Sequence, residues 1–199
     1  NFGGALYSFN GATTITAAAG NTIDVAADAE FSTVTDALTF ATGTIELADS
    51  VDLTVNSSGG AITIDSIASV EGTGAETVTI NAGGVDSGTE TVRLGNVGDS
   101  GHTQIHNLTV TADDGITLTG AIYTAQDGSA ATVTFNDAVI IDGAVIIDTD
   151  DTTQDGNITF TTSIEGKGDG GTESLSIEGG TGTITLTAIG ATTTVGNLS

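Results

Sequence analysis

The sequence predicts an all-β chain wound as a parallel β-solenoid (a β-helix) from two repeats of about 95 residues. Three observations lead there: period-two alternation of β-branched residues, short strands ending in Gly-rich turns, and long-range self-similarity. Alternation is plain in Thr14-Ile15-Thr16, Thr77-Val78-Thr79-Ile80, Thr109-Val110-Thr111 and Thr183-Ile184-Thr185-Leu186-Thr187. Such segments mark half-buried strands, because successive side chains leave a strand on opposite faces. Asn-Gly, Asp-Gly and Gly-Gly punctuate them. No long window carries a clean helical period. Val25–Glu30 is the best short candidate and lacks caps, so helix content is expected to be near nil.

The repeat defines the organisation. Residues 13–40 align with 108–135 without a gap, so that Thr14-Ile15-Thr16-Ala17 matches Thr109-Val110-Thr111-Ala112 and Leu38-Thr39-Phe40 matches Val133-Thr134-Phe135. Further matches are Gly60–Ile64 with Gly156–Phe160, Ser69–Gly72 with Ser163–Gly166, and Thr79-Ile80 with Ser176-Ile177. The expected units are an aromatic segment at 1–12, repeat one at 13–107, repeat two at 108–197, and the start of a third at 198–199. Each copy divides into about four coils, in the second copy at 108–130, 131–156, 157–173 and 174–197. Eight coils at a strand spacing of ~4.8 Å make a rod of roughly 40 Å. The alternative is a tandem of β-sandwich (Ig-like) modules, each of about 100 residues. Sandwich modules usually bury a large aromatic and join through Pro-bearing linkers. This chain has no Trp, no Pro, and no composition shift near 107.

Composition then excludes function classes. The 199 residues include 29 Gly, two Lys plus Arg, and 26 Asp plus Glu, for a net charge of −24. With Arg93 and Lys167 as the only fixed cations, no basic surface forms, so nucleic acid is not an expected partner. The absence of Cys removes disulfides, thiol catalysis and zinc ribbons. The longest apolar runs, Ala138–Ile141 and Ala144–Ile147, are far too short to insert in a membrane. The chain opens Asn1-Phe2-Gly3-Gly4 rather than with Met, as a processed or excerpted chain does. Although charge of this size and few aromatics suit disorder, regular placement of Ile and Val predicts a folded chain with an acidic skin.

Candidate sites are few. Asp148, Asp150 and Asp151, with Asp155-Gly156 after them, offer carboxylates on a Gly-flanked loop, the donor set of a hard cation such as calcium. The matching stretch of repeat one, Asp52–Ser58, keeps almost none of these acids, and Asp113-Asp114 matches Ala18-Ala19. A solvated acidic turn therefore stands beside the calcium reading. His102 and His106 would fall on one face of a strand about 13 Å apart, too far to share a metal, and are expected at the surface. Phe2, Tyr7 and Phe9 serve either as an edge cover or as a strand donated to another copy. Sequons at Asn56, Asn107, Asn157 and Asn197 are common chance matches in a Thr-rich chain. No Ser-His-Asp set, nucleophile elbow, phosphate loop or distinctive carboxylate pair is visible, so no enzyme is expected.

The phrases NLTVTADDGITLTGAI, GNITFTTSIEG and ESLSIEGGTGTITLTAIG resemble the tandem β-strand repeats of giant bacterial surface proteins, similar to filamentous-haemagglutinin-type adhesins. The resemblance covers the chain from about residue 13 and rests on the style of repeat. It implies secretion, an extracellular or cell-surface address, a structural or adhesive role, and no catalytic residues. The expected function is a structural rod or filament at a microbial surface. Its expected partners are copies of itself, end to end or laterally, and cell-surface glycans. The alternative is an adhesin module of calcium-stabilised sandwich domains.

Overall fold

The computed structural model describes residues 1–70, 76–84, 89–100, 105–124, 130–150, 155–168 and 171–199. These form a parallel β-solenoid of about seven turns, all-β and with no helix. Each coil runs over three faces. Face one stacks Leu6–Phe9, Ala29–Thr33, Leu53–Ser57, Thr77–Ala82, Asn107–Ala112, Thr132–Phe135, Asn157–Phe160 and Ile184–Thr185 as an eight-stranded parallel sheet. Face two begins with Thr13–Thr16 and ends with Ala188–Ile189, and face three begins with Phe2–Gly3 and ends with Asn197–Leu198. These two faces merge into one fifteen-stranded sheet because Ile62–Ser69 and Val92–Val97 bend across their shared corner. All described ladders are parallel, whereas Ig-like sandwiches pair antiparallel strands. The chain does not adopt the sandwich alternative.

Alternation explains the core. On face one, Tyr7, Phe31, Val55, Ile80, Val110, Phe135 and Phe160 are successive register partners, and from Phe31 onward they are fully buried. Leu38, Ile62, Val92, Ile116, Val139 and Ile164 form the matching column of face two. Both run through the hydrophobic core. Burying each such side chain contributes about 1.5–3 kcal/mol. Four Phe rings, those of Phe31, Phe40, Phe135 and Phe160, are buried among the Ile, Val and Leu side chains. Phe135 and Phe160 stack with centroids 4.9 Å apart, while Phe31 and Phe40 meet edge to face across two faces at 5.2 Å.

At the corner inside Val92–Val97 the chain needs Gly95. A Cβ there would lie 2.1 Å from the Asp65 carbonyl oxygen of the coil beneath, well inside any normal contact.

Two features of the repeat differ from expectation. Thr14 and Phe40 lie on face two, whereas Thr109 and Phe135, their sequence matches, lie on face one. Ser69 lies on face three and its match Ser163 on face two. Four coils of face one lead from Leu6 through Glu30, Thr54 and Thr79 to Thr109, so the 95-residue offset falls one face short of four coils. Alternating Thr and Ile read alike on every face, and alignment can therefore slip by one. The final cut also moves, since Ser174–Glu178 stacks on Ala144–Asp148 as face three of the coil begun by Asn157–Phe160.

Candidate functional site

The acidic turn is brought together in part. Asp148 ends a face-three strand and accepts the Asp150 N–H at 2.9 Å. Asp155 accepts both the N–H and hydroxyl of Thr181 in the next coil, at 2.5 and 2.6 Å. Its carboxyl also contacts that of Asp150, and this hydrogen bond raises the Asp150 pKa, assisted by desolvation and by repulsion from Asp155, Asp148 and Glu178. Burial, then the charge of Glu178, raises Asp148. Asp151 lies outside the described residues. Among those described, no three such side chains converge in a way that could hold a metal ion.

A second carboxyl contact was not read from the sequence. Glu90 is fully buried at the corner between faces one and two. Its N–H donates to Asp114 Oδ2 at 3.0 Å, and its carbonyl accepts the Asp114 N–H at 3.1 Å. A side-chain hydrogen bond with Glu90 raises the Asp114 carboxyl, partly opposed by the Glu90 N–H.

His106 corrects the expectation of a surface histidine. It is buried, 9% exposed, and its N–H donates to the carbonyl of buried Glu76 at 3.0 Å. Their following residues, Thr77 and Asn107, are register partners, so the two side chains occupy one interior corner on adjacent coils. Glu76 Oε1 accepts the N–H of Ser50, a residue in the left-handed region at φ 61°. Among the described residues, Glu76 Oε2 and His106 Nδ1 have no hydrogen-bond partner. A polar residue just before a strand reads as a turn in sequence, and only register shows that this position points inward. His102 lies outside the described residues.

Phe2, Tyr7 and Phe9 pack on their own chain. Phe2 meets Tyr7 and Phe31 edge to face at 4.8 and 4.9 Å, and Tyr7 stacks on Phe31 at 5.0 Å. Their strands pair with Thr22–Ala27 and Ala29–Thr33. Within the single chain, the segment thus lies against the first full coil. At the other end Ile184 and Leu198, register partners of Ile158 and Leu175, are 40% and 51% exposed.

Both cations of the chain line one groove of about 640 Å³ on face two, with Ile140 between them. Lys167 Nζ pairs with Asp142 at 2.7 Å. The N–H groups of Thr193 and Thr192 hold Glu165 below the usual carboxylate range. These four side chains cancel in charge, so the groove is a locally neutral strip. Arg93 and Lys167 are far apart in sequence, and only the coil register brings them together.

Three of the sequon asparagines are engaged within the ladders. Asn56 Nδ2 donates to Glu30 at 2.8 Å, Asn107 Oδ1 accepts from Thr132 at 2.7 Å, and Asn157 Oδ1 accepts the Thr183 N–H at 2.8 Å.

Fold and geometry thus define the class: a three-faced parallel β-solenoid whose side-chain columns run the length of the stack. Compared with known proteins, the chain matches no family model, no curated protein and no solved structure.

Proposed function

We propose that the chain is a structural rod, a stretch of extracellular filament or stalk at a microbial cell surface, that acts through shape and stacking rather than catalysis. One observation carries the reading: the face-one ladder continues through eight rungs without a change of sheet or direction, and its inward column is fully buried on the six rungs from Phe31 to Phe160. A quasi-one-dimensional stack of this kind gains length by adding coils, each contacting only its neighbours. The end surfaces support association end to end. Tyr7 stands at the first rung of the aromatic and aliphatic column, and Ile184 and Leu198 expose apolar surface at the last. Another copy joined head to tail would extend ladder and column together, in the heterologous geometry that generates open filaments. The extracellular address rests on the resemblance to filamentous-haemagglutinin-type repeats.

Electron microscopy and sedimentation velocity over a concentration series test the assembly. The expected particles lengthen in steps of about 38 Å, eight rungs of strand spacing per added copy, at constant width. Leu198→Asp shortens them. Single-length monomers at every concentration would overturn the end-to-end reading.

A further inference from the structure

Face one carries an outward array that the rod does not require. Thr54, Thr79, Thr109, Thr134, Thr159 and Thr185 are consecutive register partners, one central threonine on each of six rungs. Beside them Thr77, Asn107, Thr132 and Asn157 form a second column in the same register. Adjacent rungs stand ~4.8 Å apart, and neighbours two residues along a strand about 6.6 Å apart. The result is a two-dimensional net in which a column of methyl and hydroxyl groups runs beside one of alternating hydroxyls and amides, the Thr132 hydroxyl donating to Asn107 Oδ1 at 2.7 Å.

Three further observations concern what this net meets. None of the six central hydroxyls has a hydrogen-bond partner among the described residues; by contrast, Thr119 and Thr161 nearby donate to backbone carbonyls of the preceding coil at 3.2 and 3.1 Å. Charge is also excluded. From Thr77 to Thr185 every outward strand position on face one is Thr or Asn, in a chain bearing 26 acids. Finally, the net is stiff. The inward residues between the threonines, from Val78 and Ile80 to Ile158 and Phe160, are fully buried, and β-branching restricts χ1 of each Thr.

We propose that this face binds ice. A charged group would hold its own hydration shell against a lattice. An uncharged, regular net lets its methyls sit in the spaces of a water layer while hydroxyls replace lattice oxygens, with ordered interfacial water completing the contact. The strand spacing of a parallel sheet lies close to the oxygen repeat along the a axis of hexagonal ice, so consecutive rungs can engage consecutive lattice positions. Neutrality also decides between partners: the face suits a neutral crystalline surface, and it offers no aromatic platform for a sugar ring. The proposal does not depend on filament assembly, because one chain presents the whole array.

The test is uptake of fluorescently labelled full chain into a slowly growing ice hemisphere, with inhibition of ice recrystallisation as the second readout. Wild type is expected to enter the ice and keep crystals small. The pair Thr109→Lys plus Thr134→Lys is expected to lose both activities, whereas Thr63→Lys, on outward face two, keeps them. Circular dichroism verifies folding, and Thr134→Ser, which removes only a methyl, replaces the lysine pair if that pair unfolds; it is expected to weaken both readouts. Wild type excluded from ice like an ordinary solute would overturn the proposal. So would equal activity of the face-one variants and Thr63→Lys. If the face-one lysines abolish self-association or retention on crystalline polysaccharide while ice readouts stay unchanged, the face belongs to that partner instead.

Discussion

Replacing Phe135 with Ala probes the continuity of the core. Phe135 is fully buried on the sixth of the eight face-one rungs, stacked on Phe160 at 4.9 Å and 27°. Phe→Ala in a core costs about 3–5 kcal/mol in all through lost transfer energy and the residual cavity, of which loss of the ring pair accounts for about 0.5–1.5 kcal/mol. A central estimate of ~4 kcal/mol is a large part of the 5–15 kcal/mol typical of a domain. At roughly 2–4 °C per kcal/mol for a chain of this size, Tm falls by about 8–16 °C. Urea unfolding followed by far-ultraviolet dichroism measures this directly. Ile184→Ala is the internal comparison: at 40% exposure on the last rung it has less apolar surface to lose and should cost under about 1 kcal/mol. Equal losses in the two variants, or a Phe135→Ala loss below about 1 kcal/mol, would refute a column packed continuously through the stack.

Other perturbations follow from the corners. Gly95→Ala pushes a methyl against the Asp65 carbonyl and should cost about 1–3 kcal/mol as an overpacked site, read as a lower urea midpoint. Asp148 and Asp150 have raised pKa values, so the folded chain binds protons more readily than the unfolded one. Stability should therefore rise as pH falls from 7 into their raised range, and Asp150→Asn should raise Tm at pH 7 and flatten that rise. Glu165 works in the opposite sense: its depressed pKa supplies stability at neutral pH that is lost on further acidification, so Glu165→Gln should lower Tm at pH 7. Calcium titration by calorimetry checks the acidic turn. Heat that disappears with Asp155→Asn would support a cation there, and absence of heat would leave a solvated turn.

Much of the fold was written in the alternation. Thr77-Val78-Thr79-Ile80 and its relatives mark strands, and the absence of Pro and Trp favours stacked coils. Face assignment was not legible, because Thr13–Thr16 and Asn107–Ala112 share a pattern while lying on different faces. The same limit hid the corners. Glu76 and His106 look like turn residues until register sets them in one interior position. The uncharged threonine net shares this history: each Thr-x-Thr is visible alone, but its column exists only once coils of unequal length are aligned, with Thr79 and Thr109 adjacent despite a longer intervening coil. The acidic turn was found from sequence, yet the contact between Asp150 and Asp155 needed the fold.

Paired cysteines test the coil register most directly, since the chain has none of its own. Thr109 and Thr134 are register partners on adjacent rungs, at the Cα separation of about 4.4–6.8 Å that a disulfide bridges. Thr14 and Thr109, matched by the sequence repeat, lie on different faces several coils apart. The solenoid predicts that T109C/T134C oxidises to an intramolecular bond with native dichroism, and that T14C/T109C stays reduced. The reverse outcome, a bond between 14 and 109 and none between 109 and 134, would contradict the stack of coils.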